Sequence, residues 1–284
     1  MTVLVGIVSK NRASILPRAI DSALSQQGVS LQVAVYDDNS TDDTKLLQQC
    51  YPQVEWDFSP ENRGYVFARN QFMSSTTAMY FCSLDDDSWF TNADDLAKGV
   101  RYLENNPNVA AIAYDILSPD RPDRVPEKEP HEVSTFIGCG HLVRLSQARE
   151  VGLYDPPPSY YGGEEKDLCL KLIDKGYTII KLPGVHVWHD KTSVARDLKA
   201  QHRSGVCNDL VFAWRRTPFV LLIPLTVLKL SRHLRFARRY NSGELKIACR
   251  EGIGDFLRAV MAGKVRRGPV SLKALRRFQY LAGP

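Results

Sequence analysis

The first ninety residues alternate between short apolar segments and helical segments, and this alternation constrains the fold more than any other feature of the chain. Four apolar segments predict β-strands, at residues 3–8, 31–36, 54–58 and 79–84. Between them the sequence predicts helices at residues 14–24, 44–50 and 66–74. Strands that alternate with helices predict an α/β fold with a mostly parallel sheet, right-handed crossovers and helices on its faces.

The chain from residue 91 to about residue 190 predicts further helices and strands around two long loops. We predict helices at residues 93–105 and 164–175 and strands at residues 136–143 and 178–182. Residues 118–130 contain four prolines, and residues 154–163 are rich in Pro and Tyr, so both segments are predicted loops. We expect these two loops to shape the substrate pocket.

Formal charge is unevenly distributed along the chain. Between Lys229 and Pro284 there are fourteen Lys or Arg and three acidic residues, so this segment has a formal charge of +11. Because the whole chain has a net charge of +5, residues 1–228 together have a charge of −6. A basic segment of this kind favours nucleic acid or an acidic lipid surface as a partner. It contains no zinc-binding or RNP motif, and we therefore expect no nucleic-acid partner.

An apolar segment at residues 219–230 precedes four arginines, at positions 232, 235, 238 and 239. It is shorter than the roughly 20 residues that a membrane-spanning helix needs. One interpretation is a peripheral contact in which apolar side chains enter the lipid interface and arginines meet anionic headgroups. The alternative is a helical lobe whose apolar face packs on the catalytic domain.

The pattern of cysteines and the N-terminal sequence favour a cytoplasmic location. Six cysteines are scattered without a CxxC pair, which argues against a zinc ribbon and against a disulfide framework. The apolar segment at residues 3–8 is too short for a signal peptide and has no basic residues before it. We expect a cytoplasmic protein that is peripheral on the cytoplasmic face of the inner membrane.

Three consecutive aspartates, Asp85, Asp86 and Asp87, follow the fourth predicted strand. Like charges this close raise one another's pKa, and a divalent cation would neutralise them. Oxygen ligands suit Mg²⁺ or Mn²⁺. The alternative is a solvated acidic loop or helix cap, but ligands of α/β sheets gather at the carboxyl ends of strands, where these aspartates lie.

Two further polar features follow later in the sequence. Gly162-Gly163-Glu164-Glu165 lies at the start of a predicted helix, and two histidines, His186 and His189, follow the last predicted strand. Carboxylates in a first helical turn are also typical of ordinary helix capping. In the functional interpretation the glycines let the backbone approach a ligand, and a carboxylate removes a proton from a hydroxyl. We favour His189 as a metal ligand, with His186 as the reserve.

Taken in order, these motifs resemble the glycosyltransferases of family 2, which have the GT-A fold. The resemblance covers about residues 2–215 and includes residues 9–12, 23–26, 37–42, 62–64 with 68–70, 85–87 and 162–165. It implies a GT-A catalytic domain at residues 1–215, with a nucleotide-sugar half at 1–90 and an acceptor half at 91–215. Residues 216–284 would then be a basic helical C-terminal extension.

The resemblance also assigns roles to residues. Asp87 and His189 would bind Mg²⁺ or Mn²⁺, Glu165 would be the general base, Glu164 would hold the acceptor hydroxyl, and the remaining acceptor contacts would be Gly163 and Tyr161. The residues implied to bind the nucleotide sugar are Ser9, Asn11, Arg12, Asp38, Asn62, Arg63, Gly64, Asn70, Asp85 and Asp86. The family usually has Asp where this chain has Glu165, which leaves Glu164 and Asp167 as alternative bases.

The implied function is an inverting transfer of a hexosyl or deoxyhexosyl group from a UDP- or dTDP-sugar to a glycan or lipid-linked acceptor, in cell-surface polysaccharide biosynthesis. One alternative is a sugar-phosphate nucleotidyltransferase, which would carry a Gly-rich, Arg-containing loop after the first strand. Residues 9–12 lack those glycines. The other alternative is a non-enzymatic basic protein that binds nucleic acid or membrane.

Overall fold

The computed structural model describes residues 1–120, 127–159, 162–190 and 197–283. Its strands are β1 Thr2–Ser9, β2 Ser30–Asp37, β3 Glu55–Phe58, β4 Tyr80–Asp85, β5 Ser88–Phe90, β6 Val109–Leu117, β7 His131–Glu132, β8 His141–Arg144 and β9 Thr178–His189. Its helices are α1 Leu16–Leu24, α2 Leu47–Cys50, α3 Tyr65–Ser75, α4 Asp95–Asn105, α5 Leu145–Glu150, α6 Glu164–Asp174, α7 Leu198–Arg216, α8 Phe219–Arg239, α9 Gly243–Met261 and α10 Leu272–Leu281. The strands form one sheet in the order β3-β2-β1-β4-β8-β6-β9-β5, with β7 paired to β9.

The first half of the sheet is parallel, as the alternation of strands and helices predicts. Strands β3, β2, β1 and β4 are neighbours in that order, and every pairing among them is parallel. Ser9 lies opposite Asp37 and Val8 lies opposite Asp85, so the polar residues that follow these strands share one edge. Parallel registration is therefore what brings the predicted nucleotide-binding segments together.

The second half of the sheet is mixed, so the sheet as a whole is less parallel than predicted. β8 is antiparallel to both β4 and β6, and β9 is parallel to β6 but antiparallel to β5 and β7. The predicted strand at 136–143 is wrong at its start, because β8 begins at His141 after a turn closed by the Ile137–Gly140 bridge. Strands β5 and β6 were not predicted.

Strand β9 is longer than its predicted extent, residues 178–182, and the extension creates one wall of the polar site described below. Ala113 pairs with Lys181 but Asp115 pairs with His186, so β9 has three more residues than β6 in this interval. The extra residues include Pro183 and Gly184, which interrupt the β pattern of the sequence. The irregularity lets β9 continue to His189, opposite β5.

Two hydrophobic cores cover the two faces of the sheet. On one face, α1 and α4 pack on the strands through residues such as Leu16, Ile20 and Leu96. On the other face, α3, α5, α6 and α10 pack through residues such as Phe72 and Leu168. Burial of both faces explains why β1, β4 and β6 are almost continuously apolar.

The C-terminal helices dock on the sheet domain through α6. Arg216, at the end of α7, makes a bidentate ion pair with the buried Asp167 of α6 at 2.8 Å for each nitrogen–oxygen contact, and it also pairs with Asp155. Helix α10 contacts α6 directly, and α8 and α9 pack on α7. Within α8 only Ala237 is buried. None of the helices described in this structure combines the length and apolar character needed to span a membrane.

Candidate functional site

The three consecutive aspartates turn the chain from β4 into β5 at the edge where the parallel strands end. Ser9, at the end of β1, donates a hydrogen bond to Asp86 at 3.0 Å. Burial raises the pKa of Asp86 to about 7, with added repulsion from Asp85 and Asp87, while Arg12 and the Ser9 hydroxyl oppose this shift. The cluster is therefore poor in positive charge relative to its carboxylates.

Asp87 and His189 lie together, as predicted for two ligands of one metal ion. Ser88 pairs with His189 across β5 and β9, and His189 Nε2 is 3.2 Å from Asp87 Oδ1. Two atoms that each lie about 2.0–2.2 Å from one cation at right angles are about 3 Å apart, so the pair fits a single divalent ion. His186 is three residues earlier on the strand, and its side chain therefore points to the opposite face.

The loops after β1, β2 and β3 are joined to one another by hydrogen bonds that involve the side chains of three predicted nucleotide-binding residues, Asp38, Asn62 and Asn11. Asp38 accepts hydrogen bonds from the backbone amides of Arg63 at 2.7 Å and Gly64 at 3.0 Å. Asn62 donates to the same carboxylate at 2.6 Å in the amide orientation that satisfies both ends of its side chain. Asn11, with a positive φ of 54°, accepts from the Thr41 amide at 2.7 Å.

The side chain of Asn70, another predicted nucleotide-binding residue, makes hydrogen bonds to the backbone of Tyr154. Its amide donates to the carbonyl oxygen of Tyr154 at 2.9 Å and accepts from the Tyr154 amide at 3.0 Å. These two bonds anchor the start of the loop at residues 154–163 to helix α3. Of this loop, Tyr161 lies outside the described residues.

Arg69 is the residue that joins the two acidic clusters, and the sequence analysis did not single it out. Its side chain is only 3% exposed, and it donates to Ser83 at 3.0 Å and to Asp85 at 3.0 Å. The other guanidinium nitrogen lies 3.5 Å from Glu164 and 3.8 Å from Glu165. One buried cation therefore lies between Asp85, at the end of β4, and the two glutamates that begin α6.

The two glutamates that begin α6 differ in exposure. The Glu164 side chain is 1% exposed, and its Oε2 has no hydrogen-bond partner among the described residues. The Glu165 side chain is 21% exposed. Burial and the neighbouring Glu164 raise the pKa of Glu165 well above its ordinary value, and Arg69 opposes the shift. Asp167, the third candidate base, has both carboxylate oxygens in its ion pair with Arg216.

Two glycines immediately precede helix α6, and they have a backbone conformation that most other residues adopt only with strain. Gly162 and Gly163 have φ values of 87° and 102°. The Gly162 amide donates to the Tyr65 hydroxyl at 3.1 Å, and Asn208 of α7 donates to the Gly162 carbonyl at 2.7 Å. These contacts fix the direction from which α6 presents its first carboxylates.

The segment Gly138–Cys139 passes between the two acidic clusters, and it too was not predicted as functional. A Cβ atom on Gly138 would lie 2.5 Å from Glu165 Oε1 and 2.8 Å from Arg69 Nη2. Cys139, buried at 1% exposure, has its Sγ 3.4 Å from His189 Nδ1. Asp85, Cys139 and His189 offer ligand atoms that all lie within 4.8 Å of one another.

Comparison with known proteins gives one family match. The model of "Glycosyl transferase family 2" matches residues 4–147. The chondroitin synthase of Escherichia coli is 34% identical over 219 residues, which cover 72% of this chain and 32% of that protein. Seven curated bacterial relatives match, and the matched segments cover 24–71% of the relatives' own lengths.

Solved structures with the same fold include a TarS structure and a mannosyltransferase structure. The structure of Staphylococcus aureus TarS residues 1–349 with UDP-GlcNAc superposes with a TM-score of 0.67 and 18% identity, covering 92% of this chain and 82% of that one. The Pyrobaculum calidifontis mannosyltransferase PcManGT with GDP-Man and Mn²⁺ gives a TM-score of 0.59 and 18% identity, covering 97% and 77%. The chain thus has the GT-A fold that its motifs predict.

Removal of the Arg69 cation should destabilise the fold in a pH-dependent way. In Arg69→Met, the buried glutamates lose their counter-charge, which should lower the free energy of unfolding by about 3 kcal/mol at pH 8. The loss should shrink toward pH 5, because a carboxyl with a raised pKa is neutral at low pH and needs no counter-charge. Urea unfolding at both pH values measures this, with Arg101→Met, at an exposed position of α4, as the control. An equal loss at both pH values would contradict the charge argument.

Proposed function

Because the chain belongs to glycosyl transferase family 2, we propose that it is an inverting transferase. It moves a hexosyl or deoxyhexosyl group from a nucleotide-diphosphate sugar to a hydroxyl group of a glycan or lipid-linked acceptor. The observation that carries this proposal is the position of Arg69 between Asp85 on one side and Glu164 and Glu165 on the other. A donor sugar bound on the Asp85 side and an acceptor bound on the Glu164 and Glu165 side would have their reacting atoms next to a carboxylate.

Glu165 is the general base in this proposal. It is the more exposed of the two glutamates, and its raised pKa makes it a stronger base than an ordinary carboxylate. Glu165 removes the proton from the acceptor hydroxyl as that oxygen attacks the anomeric carbon, and the bond from that carbon to the diphosphate breaks. Glu164, whose Oε2 is buried and lacks a partner among the described residues, accepts a hydrogen bond from the acceptor. Gly163 and Tyr161 belong to the same acceptor side.

The donor side consists of the loops after β1 to β4. These loops and the strand ends before them contain nine residues that we assign to binding of the nucleotide sugar: Ser9, Asn11, Arg12, Asp38, Asn62, Arg63, Gly64, Asp85 and Asp86. Asn70 instead holds the loop at residues 154–163 through its two bonds to Tyr154. TarS with bound UDP-GlcNAc and PcManGT with bound GDP-Man share this fold, which supports a nucleotide-sugar donor.

Asp87 and His189 would hold Mg²⁺ or Mn²⁺, and the 3.2 Å between their ligand atoms supports this assignment. A divalent ion bound there would neutralise charge on the departing diphosphate. PcManGT contains Mn²⁺ together with its donor. The pairing of β5 with β9 holds the two ligands in place, because Asp87 immediately precedes β5 and His189 is the last residue of β9.

The biological setting follows from the relatives. They include proteins named for chondroitin, succinoglycan and teichuronic acid synthesis. We assign this chain to the synthesis of a polysaccharide or of a lipid-linked saccharide. The family match favours this assignment over the nucleotidyltransferase and over the non-enzymatic binding protein. The division into a catalytic domain at 1–215 and an extension at 216–284 stays a prediction.

Helix α8 supports a peripheral membrane contact. Val220, Ile223 and Val227 follow one another at helical spacing on one face, and their exposed fractions are 73%, 76% and 59%. The arginines near the end of the same helix, including Arg232 and Arg235, are exposed. An exposed apolar face continued by cations fits the interface of an anionic bilayer. The docking of α7 and α10 on α6 shows that the C-terminal helices also pack on the sheet domain.

A donor screen tests the proposed reaction. Released nucleotide diphosphate is measured across UDP-, dTDP- and GDP-sugars, each with Mn²⁺ and with EDTA. We expect release from a small set of donors with Mn²⁺ and at least a roughly tenfold loss with EDTA, because the metal stabilises the leaving group. Asp87→Asn should show the same loss in the presence of Mn²⁺. If no donor is cleaved under any condition, the transferase assignment is wrong.

The base assignment predicts a large effect of Glu165→Gln. We expect kcat to fall by about 10²- to 10⁴-fold with little change in the donor KM, because the variant still binds the donor but cannot take the proton. In the wild type, kcat/KM should fall as the pH drops through the raised pKa of Glu165. The matched control is Glu244→Gln, an exposed glutamate in the first turn of α9. Near-wild-type turnover of Glu165→Gln would exclude this residue as the base.

The membrane proposal predicts lipid binding that depends on the apolar face of α8. The full chain should float with vesicles of phosphatidylcholine and phosphatidylglycerol, and less with phosphatidylcholine alone. A variant with Val220→Ser, Ile223→Ser and Val227→Ser should lose most of this binding, because the apolar contact is removed. The control is Leu46→Ser, an exposed leucine next to α2. A wild-type chain that stays with the unbound fraction would refute the proposal.

A further inference from the structure

Cys139 lies beside the proposed metal pair in a geometry that gives its sulfur a defined task. His189 presents its two ring nitrogens to two different partners: Nε2 lies 3.2 Å from Asp87 Oδ1, and Nδ1 lies 3.4 Å from Cys139 Sγ. The sulfur is almost completely buried, so water has little access to compete for this contact. The imidazole therefore lies between a carboxylate and a thiol.

A neutral imidazole carries one N–H proton, on one of its two nitrogens. If Nε2 binds a cation with its lone pair, the proton must be on Nδ1, and the nitrogen then needs an acceptor. Among the described residues, Cys139 Sγ is the atom in hydrogen-bond range of Nδ1. Histidine ligands of metals in proteins almost always donate their second N–H to a nearby acceptor, most often a carboxylate, a backbone carbonyl or water, which fixes the tautomer and the ring orientation. Here the acceptor in that position is a sulfur atom.

The backbone keeps Cys139 in this place. The Ser88 hydroxyl lies 3.4 Å from the Cys139 carbonyl oxygen, and Ser88 pairs with His189 across β5 and β9. On the other side, Gly138 packs against Arg69 and Glu165. The segment is thus fixed both to the strand that carries the histidine and to the acceptor side of the site.

The geometry points to Cys139 as a positioning residue that accepts the Nδ1 proton of His189 and so leaves Nε2 available for the cation. This inference rests on the proposed metal site of Asp87 and His189. Cys139 does not bind the cation itself in this arrangement, because its sulfur faces the ring nitrogen that is turned away from Asp87.

The test is a titration of the full chain with Mn²⁺, alone and with UDP, in which free Mn²⁺ is followed by electron paramagnetic resonance. Three substitutions separate hydrogen bonding from packing. Cys139→Ser keeps an acceptor, whereas Cys139→Ala and Cys139→Val remove it, with Val restoring the volume. Cys82→Ala, at a buried cysteine on β4, is the matched control. Thermal unfolding of each variant checks that it is folded.

We expect Cys139→Ala and Cys139→Val to weaken Mn²⁺ binding by about 10-fold or more, as is common when the partner of a metal-bound histidine is lost. Cys139→Ser and Cys82→Ala should stay within about threefold of the wild type, since both keep an acceptor for Nδ1. A Cys139→Val chain that binds Mn²⁺ like the wild type would overturn the inference while leaving the metal site intact. A wild type that binds no Mn²⁺ in either condition would overturn both.

Replacement of Mn²⁺ by Co²⁺ distinguishes positioning from direct ligation. A thiolate bound to Co²⁺ gives a charge-transfer absorption in the near ultraviolet, whereas a thiol that only accepts a hydrogen bond from histidine does not. We expect the wild type and Cys139→Ser to have the same spectrum without this band. A band that is present in the wild type and absent in Cys139→Ser would show that the sulfur is a ligand, and the positioning role would be wrong.

Discussion

The rest of the site depends on the buried guanidinium of Arg69, which lies between two groups of carboxylates. Asp85 ends strand β4 and Glu164 begins helix α6, and bringing their carboxylates close without a cation would be strongly unfavourable. Arg69 contacts both: its Nε and Nη2 donate hydrogen bonds to Ser83 and Asp85, and its Nη1 lies 3.5 Å from Glu164, so the buried charge has opposite charges beside it. The two acidic clusters therefore share one counter-charge. A change on one side alters the electrostatics of the other, because the same cation lowers the energy of both sets of carboxylates.

The sheet explains why these groups meet at one edge. Parallel pairing of β1, β2 and β4 aligns their carboxyl ends, which places Ser9 and Asp86 in contact. The antiparallel pairing of β5 with β9 then brings a histidine from far along the chain back to the aspartates. The mixed second half of the sheet is therefore what places His189 beside Asp87.

The sequence predicted those parts of the fold and site that depend on local pattern. The first four strands, the acidic turn and the Gly-Gly-Glu-Glu start of α6 are readable because each combines periodicity with a characteristic residue order. Strand β6 was missed because its Ala-rich segment has no alternation, and β5 was missed because three residues carry too little pattern. Arg69 and Cys139 were missed for a different reason. Their roles arise from contacts with Glu164 and His189, which are remote in sequence, and no local property of α3 or of residues 137–140 specifies those contacts.

The presence of Glu165 where the family usually has Asp has a physical counterpart in the structure. Its longer side chain brings Oε1 so close to residue 138 that even a single Cβ atom there would lie 2.5 Å away. Glycine at this position removes that obstacle and also leaves room for the Arg69 guanidinium. The longer side chain of Glu165 and the missing side chain at residue 138 thus fit as a pair, since an Asp in place of Glu165 would have a side chain one methylene shorter. Glu165 remains within 3.8 Å of that cation, close enough for the charge of Arg69 to oppose the rise in its pKa.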